Sequence, residues 1–82
     1  MYKILITERA IKDIEKLDVK TKKRIGEKLK FYSKEPLKYA SKLINNILGT
    51  YRFRIGDYRV IFDIEDDKII VLRIGYRKEI YK

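Results

Sequence analysis

The chain has 82 residues, 21 Lys and Arg against 12 Asp and Glu, a formal net charge of +9, and no His, Cys or Trp. That composition excludes disulfide staples, His/Cys zinc sites, and mechanisms built on a His base or a Cys nucleophile. A chain this short buries only about 60–65% of its unfolded surface. Residues 1–82 therefore read as a single thinly cored domain, with no cofactor or metal expected and an acidic or polyanionic partner implied by the charge. No apolar run approaches the roughly 18–20 residues of a membrane span, and the N-terminal stretch lacks the pattern of a signal peptide. The expected location is the cytoplasm.

Tyr2–Ile6 is apolar and β-favouring and reads as a first strand. Thr7 is an expected N-cap, with Glu8 in the first turn of a helix whose apolar stripe is Ala10, Ile11, Ile14 and Leu17. Asp18 closes this helix and caps a second, expected from Val19 to about Ser33, with Val19, Ile25, Leu29 and Tyr32 facing inward. Pro36 ends that pattern. Leu37 to Leu48 matches no single period and reads as a packed connection with at most one helical turn, ending at Gly49.

Three alternating segments follow. Thr50–Ile55 places Tyr51, Phe53 and Ile55 on one face and Arg52 and Arg54 on the other. Gly56-Asp57 signals a hairpin turn, Tyr58–Glu65 alternates again, Glu65 to Asp67 marks a second turn, and Lys68–Arg77 forms the last strand. The expected architecture is α+β, in the order β-α-α-β-β-β, with a helical hairpin packed on a mainly antiparallel sheet. The acidic run Asp63, Glu65, Asp66 and Asp67 reads as a solvated turn and not as a metal site.

The basic residues divide by type. Lys supplies ten of the twelve in the first half of the chain, whereas Arg supplies five of the nine in the second. A two-residue Gly56-Asp57 loop sets Arg54 directly opposite Arg59, with Arg52 on the same face. Like charges in that position destabilise a sheet by about 0.2–1 kcal/mol, a cost out of place in a thin core unless an anion relieves it. An odd second loop is preferred: it places Arg59 opposite Arg73, gathers Arg77 onto the same face and sends Ile70, Leu72 and Ile74 to the core, leaving Ile61, Ile69 and Val71 beside the arginines. The alternative is a solvated face in which the arginines pair with Asp57, Asp63, Glu65 and Glu79. The Lys-rich second helix (Lys20, Lys22, Lys23, Lys28, Lys30, with Lys34 beyond it) reads as an exposed surface.

The run Gly49-Thr50-Tyr51-Arg52-Phe53-Arg54-Ile55-Gly56-Asp57-Tyr58-Arg59-Val60-Ile61-Phe62 strongly resembles the central motif of the RelE/ParE toxin superfamily. The segment Arg73-Ile74-Gly75-Tyr76-Arg77-Lys78-Glu79-Ile80-Tyr81 resembles its closing motif. The resemblance implies a RelE-type toxin of a type II toxin–antitoxin pair, a ribosome-dependent mRNA interferase that cuts mRNA in the A site by 2′-hydroxyl attack without a metal. It implies a catalytic set of Arg52, Arg54, Arg59, Arg77 and Tyr81, RNA contacts from Arg73, Tyr76 and Lys78, and an acidic RelB-like antitoxin in a hetero-oligomer. Two positions depart from the pattern. Arg54 stands where relatives carry the residue proposed as base, and Arg is a poor base because its pKa exceeds about 12; Tyr76 stands where relatives often have His. The base is left among Arg54, Tyr76, Lys78 and ribosomal RNA groups. Because one fold hosts several activities, two alternatives stay open: a ParE-like, non-catalytic gyrase inhibitor and a degenerate RNA-binding relative.

Overall fold

A computed structural model describes residues 1–44 and 47–81. The chain runs β1 (Lys3–Ile6), α1 (Glu8–Glu15), α2 (Val19–Tyr32), α3 (Pro36–Tyr39), β2 (Ser41–Lys42), β3 (Tyr51–Ile55), β4 (Tyr58–Glu65) and β5 (Lys68–Tyr76). The five strands form one sheet in the order β1-β5-β4-β3-β2, with β1 parallel to β5 and every other neighbour antiparallel. Among the described residues no helix is long and apolar enough to cross a membrane.

Local chemistry fixes the element boundaries. The Thr7 hydroxyl accepts from the Ala10 amide at 3.3 Å and donates to the Val71 carbonyl at 2.9 Å, so one side chain starts α1 and fastens the end of β1 to β5. Asp18 caps α2 by accepting from the Thr21 amide at 3.3 Å. A side-chain hydrogen bond with Thr21, and to a lesser degree this backbone one, holds the Asp18 carboxyl below its ordinary value. Pro36 begins the single-turn α3, at a position where its missing N–H costs nothing.

The core lies between α1 and α2 and one face of the sheet. Ala10, Ile25 and Leu29 pack against Phe53, Ile55, Val60, Phe62, Ile69, Val71 and Ile74. Aromatic rings knit the β3–β4 pair: Phe53 and Phe62 stack with centroids 4.2 Å apart, and Tyr32 from α2 lies 4.9 Å from Phe53. On the helices, two residues expected inside are not. Val19 is 81% exposed in the first turn of α2, and Ile11 is also exposed; the buried place on α1 is taken by Asp13. The Asp13 carboxylate accepts from the backbone amide of Ile74, while Ala10, Ile14 and Leu17 keep the rest of the expected stripe against the core. The irregular connection contains a strand that was not expected, β2, which pairs with Arg52 and Tyr51; two residues are too few to show a period. Residues 45 and 46 of that connection, and residue 82, lie outside the described residues.

The second turn differs from the expected odd loop. Asp66 has φ 54°, Glu65 pairs with Lys68, and the connection is a two-residue turn with a positive φ at its first central position. This even loop sends Ile69 and Val71, not Ile70 and Leu72, to the core, where both are fully buried. A bulge between Ile61 and Phe62 then shifts the register, so that Ile61 faces Arg73, Val60 faces Ile74 and Arg59 faces Gly75. One extra residue on β5 flips the parity back, and Arg73 regains the face of Arg59 without standing opposite it.

A candidate anion site on the bare face of the sheet

The face away from the helices is covered at two places. Near β2 the backbone at Gly49 lies on Ile61 and Leu72; a methyl group on Gly49 would sit 2.7 Å from Ile61 Cγ2 and 2.9 Å from Leu72 Cδ1. Ile61 is therefore fully buried although it belongs to the arginine face. The Asp63 carboxylate fixes this cover by accepting from the Thr50 amide at 2.8 Å. At the far end, the turn after β5 folds back and buries Ile80 against Gly75, where a Cβ would meet Ile80 at 3.4 Å. The strip of sheet between these covers carries the arginines.

On that strip Arg54 stands directly across from Arg59, and Arg52 across from Ile61. Arg59 Nη1 donates to the carbonyls of Gly56 and Tyr58, at 2.9 Å each, so its guanidinium is held over the hairpin turn by backbone and not by a carboxylate. Burial, and after it the neighbouring Arg54, pull the Arg59 guanidinium below its ordinary value; Arg52 and Arg77 act in the same direction and Tyr81 against it. Arg59 remains charged at neutral pH, since an arginine starts above about 12. A site where arginines repel one another is one where an anion lowers the energy most.

The tail adds a hydroxyl. Arg77 leaves β5 with its amide donating to the Asp57 carbonyl at 2.8 Å and its Nε 3.7 Å from the Asp57 carboxylate. The turn closes through the amides of Glu79 and Ile80, both donating to the Tyr76 carbonyl. Ile80 anchors it, and Tyr81 falls over Arg52: Arg52 Nη1 donates to Tyr81 Oη at 2.9 Å, and its Cζ lies 5.9 Å from the ring centroid. The Arg52 Nε is buried with no acceptor among the described residues. Among the described residues the Arg52 guanidinium is thus held by the Tyr81 cap, with donors available to a ligand that displaces it.

The structure thus brings Arg52, Arg54, Arg59, Arg77 and Tyr81 together, and of the three further residues expected to touch RNA it draws two, Arg73 and Tyr76, towards other partners. Arg73 shares the face by register but turns round the open edge of β5, where its Nε donates to Asp13 Oδ2 at 2.9 Å. Tyr76 lies opposite Tyr58 on the helical side, its ring edge-on to Tyr58 at 5.8 Å. Lys78 is exposed on the tail turn. The expected pairing of the arginines with carboxylates is confined, among the described residues, to Arg77–Asp57 and Arg73–Asp13, with Arg9 also 3.8 Å from Asp13. Sequence reasoning named Asp57 among the possible partners of the arginines and missed Asp13 and Ile80 as groups that place these side chains. Gly75 was the available signal: a glycine inside a strand marks a close approach.

The family described as ParE toxin of type II toxin–antitoxin systems matches residues 4–81. The chain belongs to this RelE/ParE superfamily of toxins. It is 30% identical to toxin RelG of Mycobacterium tuberculosis, over 99% of this chain and 97% of that protein, and 32% identical to toxin RelE3 of Methanocaldococcus jannaschii, over 96% and 94%. Its fold superposes on a chain of the toxin–antitoxin complex RelBE2 of M. tuberculosis with a TM-score of 0.84 and 29% identity, covering 93% of this chain and 98% of that one.

Proposed function

We propose that this toxin is an endoribonuclease that cuts mRNA on the ribosome, and that the strip of Arg52, Arg54, Arg59 and Arg77 with Tyr81 is its active site. The observation that carries this reading is the Arg54–Arg59 pair: two arginines directly opposite on a sheet, with Arg52 and Arg77 close by, and neither of the pair within 4.0 Å of a carboxylate among the described residues. A phosphate turns this repulsion into attraction, and guanidinium forks match its oxygens.

RNA brings its own nucleophile. The 2′-oxygen attacks the adjacent phosphorus, the bond to the 5′-oxygen breaks, and the products are a cyclic phosphate and a 5′-hydroxyl. Arg59 and Arg77 neutralise the charge that builds on the non-bridging oxygens, the role an oxyanion hole plays elsewhere. Tyr81 already accepts a hydrogen bond from Arg52, so its own hydroxyl proton is free to be donated to the departing 5′-oxygen. The guanidinium field acidifies the 2′-hydroxyl, whose proton passes to water. Arg54 serves this step as a charge and not as a base.

A basic protein at +9 whose relatives crystallise with antitoxins is expected to be held silent by an acidic antitoxin chain. A second reading is favoured by the ParE description of the matching family: a protein that poisons DNA gyrase by binding. Inducing the chain and mapping mRNA 5′ ends separates the two. New ends inside translated codons, absent from an Arg59→Ala variant, support the nuclease. Intact messages together with lost supercoiling in a purified gyrase reaction overturn it in favour of the second reading.

A further inference from the structure

Two of the basic residues in the first half of the chain are arginines, Arg9 and Arg24, set among lysines. Arg9 lies 3.8 Å from Asp13. Arg24 has no ion pair within 4.0 Å among the described residues; it reaches from α2 to the β3–β4 turn. A methyl group on Gly56 would sit 2.8 Å from Arg24 Nη1, 2.9 Å from Nη2 and 3.0 Å from Cζ, so the whole guanidinium plane lies on the α-carbon of Gly56. Arg59 Nη1 donates to the carbonyl of the same residue. The turn is therefore gripped by two guanidiniums, one from the helical layer and one from the bare face, with Arg77 bonded to Asp57 next to it.

We propose that Arg24 is a phosphate-binding residue that extends the arginine strip over the hairpin tip onto α2, where it contacts the RNA strand at a phosphate flanking the one that is cut. This rests on the reading of the strip as an RNA site. Gly56 is required twice: its φ of 58° suits a residue without Cβ, and its bare α-carbon lets Arg24 lie flat. Flat against the turn, the guanidinium is pre-organised and presents its donors outward, which a flexible lysine at this position would not do. Lys20 and Lys28, one helical turn on either side of Arg24 and both exposed, continue the same stripe of α2. The charge path thus runs from Tyr81 and Arg52 through Arg59 to Arg24, longer than one phosphate needs.

The test is binding of the full-length chain to 2′-O-methyl RNA, which it cannot cut, using an oligonucleotide of about a dozen residues and a dinucleotide. Arg24→Ala is expected to weaken binding of the longer RNA several-fold, to lower its salt slope by about 0.7, and to leave the dinucleotide unaffected. Lys34→Ala, beyond the end of α2, is expected to change neither. Arg59→Ala is expected to weaken both ligands. Unchanged affinity in Arg24→Ala beside weakened affinity in Arg59→Ala overturns the Arg24 contact and leaves the active site standing. Equal losses in Arg24→Ala and Lys34→Ala also overturn it, because they describe a diffuse basic surface. No loss in Arg59→Ala overturns the strip itself and the contact with it. Thermal unfolding of each variant, expected within a few degrees of the parent, keeps the comparison among folded proteins.

Discussion

Arg59 and Arg73 lie on neighbouring strands of the same sheet, two residue pairs apart, in opposite circumstances. Arg73 turns round the sheet edge to a nearly buried carboxylate, with Asp13 only 7% exposed and 2.9 Å away. Arg59 has backbone carbonyls under it and other guanidiniums around it. The first arginine is spent on the fold, since it ties α1 to a strand that β1 has ceased to cover. The second stands in a site whose repulsion the rest of the fold must offset. The difference teaches that an arginine on the right face is not thereby part of a functional site; the acid within its reach decides.

The largest expected effect is on the structural side of this comparison. Asp13→Ala removes the acceptor of both the Arg73 side chain and the Ile74 amide. A cost of about 2–3 kcal/mol follows from losing a charged acceptor and stranding a buried donor, a fall in Tm of roughly 10–20 °C for a chain of this size. Calorimetry checks it, and RNA cleavage measured well below that Tm is expected to be nearly unchanged.

Next comes a substitution expected to stabilise the protein while harming its activity. Arg54→Thr removes one of two like charges directly opposite on the β3–β4 pair and supplies a β-favouring residue. The free protein gains about 0.2–1 kcal/mol, read as a higher denaturation midpoint, and cleavage slows. Added salt is expected to stabilise the parent more than this variant, because it screens a repulsion that the variant lacks.

The smallest effect lies in the helical layer and serves as a contrast. The Asp18 carboxyl is held below its ordinary value of 3.8 by its hydrogen bond to Thr21 at the start of α2. A depressed folded-state pKa stabilises the protein above the unfolded value, and the contribution is lost as pH falls through the folded one. Acid titration of stability in Asp18→Asn is expected to show a slightly shallower fall below that range than the parent. RNA binding at neutral pH is expected to be unaffected.

The architecture was largely legible from the sequence because its signals are local. Thr7 and Asp18 announce their helices, and the strict alternation from Tyr51 to Ile64 fixes which face of each strand is buried. The Gly56-Asp57 turn determines by itself that Arg54 meets Arg59. What was not legible depends on contacts between distant residues. The β5 register turns on a two-residue loop followed by a bulge, and no alternation announces either, so the sequence reading sends Ile69 and Val71 to the wrong face. The bond from Arg73 to Asp13 was equally hidden, because the two lie 60 positions apart. Ile80 looked like an ordinary apolar residue near the end of the chain, yet it positions Tyr81 over Arg52.

The most direct measurement compares single-turnover cleavage of ribosome-bound mRNA by Arg59→Ala and Arg73→Gln, with each Tm determined and the rates taken where both proteins are fully folded. Arg59→Ala is predicted to keep a Tm close to the parent's and to cleave about 10²–10³-fold more slowly, the loss expected for a group that stabilises transition-state charge. Arg73→Gln is predicted to lose Tm and to cleave at nearly the parental rate. Equal slowing in the two variants, or slower cleavage by Arg73→Gln, would contradict the division of the arginines into one that holds the fold and a set that holds the phosphate.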